Sequence, residues 1–110
     1  MLVVRPSQII GGFQTSTGNV AVPLGVVTRL FPPDPDRYAI YFFSHLTVSY
    51  AVCDDPQVLV DSGIGVPAAG TGFMATFPDW GQVVTAQWFA VGVSGALNVK
   101  FKLIRYSPQG

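Results

Sequence analysis

Gly, Pro and Asp interrupt this sequence so often that no helix of ordinary length fits between them. Three prolines fall within four residues of one another in "LFPPDPDRYAIYFF", residues 30–43. Each removes an amide donor and biases the residue before it away from the helical region. All six acidic residues are Asp and none is Glu, and Asp favours turns and caps where Glu favours helix interiors. Between the interruptions lie short runs rich in Val, Ile, Phe and Tyr, the residues of strands.

Seven or eight such runs are readable. The stretch "VAVPLGVVTRL" at 20–30 reads as a strand with a bulge or edge position at Pro23 and Gly25. "YAIYFF" at 38–43 and "LTVSYAV" at 46–52 read as two strands of a hairpin turning at Ser44 and His45. "VLV" follows the "DDPQ" turn, and "FMATF" at 73–77 ends at Pro78, with "DWG" as the next turn. "VVTAQWFAV" at 83–91 and "LNVKFKLIRY" at 97–106 flank a "GVSG" turn. In the last strand Leu97, Val99, Phe101 and Leu103 alternate with Asn98, Lys100 and Lys102, a period of two. No 3.6-residue period of useful length occurs. The fold expected is all-β, an antiparallel β-sandwich or jelly-roll-like barrel of about 7–8 short strands. Residues 1–19, with the uncharged "SQIIGGFQTSTGN", are expected to form an extended N-terminal arm on a single domain over 20–110.

With 110 residues the chain fits one core. Its charged residues make up only 11%, against roughly 25% in an ordinary soluble domain. That is too little charge to coat a surface, so part of the surface is expected to face other subunits. The formal net charge is zero and the six cations are scattered, which speaks against nucleic acid or a membrane as partner. The start "MLVVRPSQIIGGF" lacks a basic leader and a continuous apolar run, so neither a signal peptide nor a membrane span is expected. A single cysteine, Cys53, allows no intrachain disulfide and suggests synthesis in a reducing compartment.

The residues that carry chemistry do not form a catalytic set. His45 is the one histidine; a general base or metal ligand is the functional reading, and a turn residue held by backbone is the plainer one. "GVSGA" lacks the second glycine of a nucleophile elbow. Cys53 precedes Asp54 and Asp55, whose charge would raise its thiol pKa, and one His with one Cys cannot build a zinc site. Asp34, Asp36, Asp54 and Asp55 supply the hard oxygens that calcium prefers, without the alternation of a calcium loop; turn capping is the competing reading. Trp88 is expected in the core. Trp80, in the "PDWG" turn, suits either an interface or a packed anchor. No catalytic residue, cofactor, metal or small-molecule ligand is therefore expected. The residues singled out for an interface are Ile9, Ile10, Phe13 and Trp80.

From about residue 28 to 106 the sequence resembles small β-sandwich structural proteins of tailed bacteriophages. Those proteins often show an Asn-Pro-x-Arg corner before an apolar strand, a "GI-x-LPAGG" loop, and a final strand pair split by a Ser-Gly turn. Here the corner is Asp34, Pro35, Asp36 and Arg37, the loop is "GIGVPAAGT" at 63–71, and the last pair is "WFAVGVSGALNVKFKLIRY" at 88–106. Asp34 replaces the usual Asn, and Ala69 stands where Gly is common. The resemblance implies a virion component, not an enzyme: a head-decoration or cement protein at capsid-subunit junctions, assembled in the host cytoplasm. Its partners would be the major capsid protein and copies of itself, with a homotrimer favoured by symmetric capsid sites. The alternative is a tail- or fibre-associated module binding host-surface glycan through Trp80.

Overall fold

The computed structural model describes residues 12–57 and 63–106. Among the described residues eight strands form two four-stranded antiparallel sheets. They are β1 (Phe13–Val22), β2 (Thr28–Phe31), β3 (Arg37–Phe42), β4 (Tyr50–Cys53), β5 (Ile64–Val66), β6 (Phe73–Thr76), β7 (Trp88–Gly92) and β8 (Leu97–Tyr106). The first sheet has the order β1-β8-β3-β6 and the second β2-β7-β4-β5. The expected all-β sandwich is present, and with nearly every connection crossing from one sheet to the other, this order is that of an eight-stranded jelly roll.

Pleat alternation sorts side chains into the core. Leu97, Val99 and Phe101 of β8 turn inward with Ile40 and Phe42 of β3, against Tyr50, Val52, Val66, Trp88 and Ala90 of the second sheet. Aromatic rings bridge the two layers. Phe31 lies 5.1 Å from Phe101, and Phe42 lies 5.5 Å from Trp88. Trp88 is fully buried, as its strand position predicts, and its indole N–H donates to the Val83 carbonyl at 3.0 Å.

Three expectations change. Residues 13–19 are not a free arm: Phe13 to Val22 pair one-to-one with Tyr106 to Leu97, so the uncharged Ser, Thr and Gln belong to a solvent-facing edge strand. Residues 1–11, and with them Ile9 and Ile10, lie outside the described residues, as does "VLV" at 58–60. The hairpin expected at 38–52 does not form. β3 and β4, and likewise β7 and β8, lie in opposite sheets, so their side chains meet across the core instead of along a shared ladder. Finally, 83–85 is not strand. A short helix, α1 (Phe77–Trp80), leads into a 3-10 turn, Gly81–Thr85, and β7 starts only at Trp88.

Candidate assembly interface

The corner that precedes β3 is built around one buried cation. Arg37 is 4% exposed, and its guanidinium donates to the carbonyls of Pro32 (2.8 Å), Ala86 (2.8 Å) and Val84 (3.2 Å). Its Cζ sits 4.3 Å from the centre of the Phe31 ring, while Nε has no hydrogen-bond partner. Burial lowers its pKa, with the neighbouring Asp34 charge working the other way. The Asp34 amide takes the Thr85 carbonyl at 2.9 Å, and the Trp88 indole takes that of Val83. All four carbonyls from Val83 to Ala86 thus serve the corner or the core, which explains why this Val-rich segment does not join a sheet.

The acids of the corner are engaged as well. Arg105 donates from Nε to Asp34 Oδ2 at 2.9 Å and from Nη2 to Asp36 Oδ2 at 3.1 Å, and Asp34 Oδ1 accepts the Asp36 amide. The Arg105 hydrogen bond holds the Asp34 carboxyl below its ordinary range. The other pair caps a turn: Asp55 Oδ1 accepts the Gln57 amide at 2.8 Å, and Asp54 accepts from the half-buried Cys53 thiol at 3.6 Å. Among the described residues no three of His, Cys, Asp and Glu cluster as a cation would need.

His45 lies in the segment that carries the chain from β3 to β4. Its Nδ1 accepts the amides of Thr47 (3.2 Å) and Val48 (3.1 Å), which fixes the neutral tautomer with hydrogen on Nε2. Its carbonyl accepts the Ala69 amide at 2.7 Å. The ring borders a shallow open cleft of about 450 Å³ together with Pro23, Ala96, Leu97 and Asn98. The walls of that cleft hold no hydroxyl, thiol or carboxylate side chain, so His45 has nothing there to activate. The buried Tyr50 hydroxyl donates to the Phe43 carbonyl at 2.6 Å, and burial raises its pKa well above the usual phenol value.

The fold leaves several large apolar side chains exposed. At the end bearing the segments 23–27 and 43–49, Leu46 is 83% exposed, and Leu24 and Val26 are also open to solvent. On the outer face of the first sheet, Phe13 packs 5.1 Å from Tyr38 and 6.1 Å from Tyr106, and Tyr41 packs 4.6 Å from Phe43 beside the exposed Met74. On the outer face of the second sheet, by contrast, Ala51 and Val91 are buried under the half-buried Val27, Cys53, Phe89 and Val93. Of the four residues singled out from sequence, Phe13 therefore belongs to an exposed aromatic cluster. Trp80 is 39% exposed and packs edge-on against Phe73 and Trp88, as a packed loop anchor does. The two share no ring contact. Sequence reading missed Leu46 and Met74, because strand alternation alone does not say which apolar face is covered.

No protein-family model matches this chain, and no curated protein does. Among solved structures, one described as "Bacillus endospore appendages form a novel family of disulfide-linked pili" is similar to it at a TM-score of 0.52 and 13% identity. The match covers 98% of this chain and 97% of that one. The likeness is one of fold. Two chains of similar length share the whole sandwich, with little sequence in common.

Proposed function

We propose that this protein is a structural subunit of a larger protein assembly, and that the assembly is a bacteriophage virion. In this reading it decorates or cements the capsid surface at subunit junctions, in contact with the major capsid protein and with copies of itself. The observation that carries it is the apolar outer surface: Leu24, Val26 and Leu46 at one end, and Phe13, Tyr38 and Met74 on one sheet face. Left open to water these would form an aggregation-prone surface, and burying them against neighbours is favourable. The phage resemblance supplies the kind of assembly.

The test adds purified chain to capsids lacking it and measures co-sedimentation. Saturable binding that falls with Leu46→Asp supports the reading; no binding at micromolar concentration overturns it. Deleting 1–11 asks what the N-terminal segment contributes without removing β1.

The likeness in fold to an appendage protein favours a second reading, a subunit that polymerises with itself. With Cys53 as its one cysteine, the chain can offer a neighbour at most one disulfide, so strand pairing and apolar burial would carry its contacts. Filaments grown from the pure chain and seen by electron microscopy would favour it; soluble particles that coat capsids would not.

A further inference from the structure

A sandwich of two open sheets has four edges, and an unprotected edge pairs readily with other chains unless it is short, charged, bulged or capped by proline. Three of the four edges here are protected in that way. β2 has four residues, carries Arg29 and is broken by a register shift between Arg29 and Phe31. β5 has three residues. β6 has four and runs straight into the helix that holds Pro78.

β1 is the exception. It has ten residues, "FQTSTGNVAV", with no charge and no proline, and it pairs with β8 along its whole length without a shift. Its side chains are exposed from Phe13 to Thr17, and among the described residues nothing pairs with its far side.

We propose that β1 pairs antiparallel with β1 of a second copy across a two-fold axis, joining the two first sheets into one of eight strands. The inference rests on reading the chain as an assembly subunit and names the partner at this edge. Self-pairing suits the sequence: with no charge on the strand, no like charges meet, whatever the register.

The pleat narrows the register further. Phe13, Thr15, Thr17, Asn19 and Ala21 share the outer face, because they stand opposite Tyr106, Ile104, Lys102, Lys100 and Asn98. Keeping that face continuous across the axis requires odd-numbered residues to meet odd-numbered ones, so the axis passes through a residue, and the longest overlap of the two ten-residue strands puts it at Thr17 or Gly18. Centred on Thr17, the pairing sets Thr15 against Asn19 and brings the Phe13 cluster against Ala21 of the second copy. The contact is isologous and gives even-numbered assemblies, in contrast to the trimer that symmetric capsid sites would favour.

Sedimentation over a concentration series tests it, using the full chain. The expected result is twice the chain mass at micromolar concentration, with β1 amides exchanging more slowly as concentration rises. Thr17→Asp faces Lys102 within the chain, so the subunit keeps its fold, but it sets two carboxylates directly opposite each other with the axis at Thr17, or on the adjacent diagonal with the axis at Gly18. It should weaken the dimer roughly tenfold or more. A monomer, a trimer, or a dimer that Thr17→Asp leaves unchanged would overturn the proposal. Should that variant fail to fold, the exchange of β1 amides in the unaltered chain decides, and concentration-independent exchange counts against it. A dimer that ignores capsids and builds nothing larger would support this pairing while sinking the proposed function; a chain that coats capsids as a monomer would do the reverse.

Discussion

Arg37 shows how one side chain can set the conformation of a distant segment. Replacing it with Met leaves the carbonyls of Pro32, Val84 and Ala86 without donors, which should cost about 3 kcal/mol or more, read as a lower urea midpoint. Arg37→Lys should also be costly, since an ammonium cannot fork to three acceptors. A second prediction concerns acid. Because Arg105 lowers the Asp34 pKa in the folded chain, the pair stabilises the fold fully above the ordinary carboxylate value of 3.8 and loses that contribution as pH falls through the depressed value. Asp34→Asn should therefore flatten the fall in stability below about pH 4. Ala69 stands where glycine is common in the phage proteins, and its φ of 54° is one that glycine favours. Ala69→Gly should not lower Tm, and relieved strain should add up to about 1 kcal/mol. The sequence marked Arg37 as the entry to a buried strand; that its guanidinium would hold carbonyls nearly fifty residues away was not legible, because no local pattern encodes that contact.

Among the elements, β8 was the most legible. Its alternation of Leu97, Val99 and Phe101 with polar residues is a signal contained within one strand. β1 was misread because Ser, Thr, Gln and Gly suit both a free arm and an exposed edge; only the ladder to β8 distinguishes them. Gly18 marks where that ladder meets the core. A Cβ there would collide with the Phe101 ring, which lies across the glycine. Gly18→Val should drive the ring away and cost about 1–3 kcal/mol, seen as a lower melting temperature and shifted Phe101 resonances. The Val-rich run at 83–85 failed as a strand for the opposite reason. Its strand propensity was real, but its carbonyls were claimed by Arg37, Asp34 and Trp88.

For the whole molecule, the all-β class was legible in the sequence, but the sheet each strand joins was not. Alternation says which residues turn inward; it does not say whether consecutive strands lie side by side or across the core. The topology has a direct test. β8 lies between β1 and β3, so a chain ending at Gly95 loses the middle of its first sheet and should show no near-UV circular dichroism signal from Trp88. A truncated chain that kept the native signal would contradict this arrangement. The same ladder has a practical consequence. Phe13 and Tyr106 are cross-strand partners, so β1 begins beside the point where β8 ends. Two short linkers would then suffice to splice the domain into a surface loop of an unrelated host protein, with its far tip, bearing Leu24 and Leu46, carried outward as cargo.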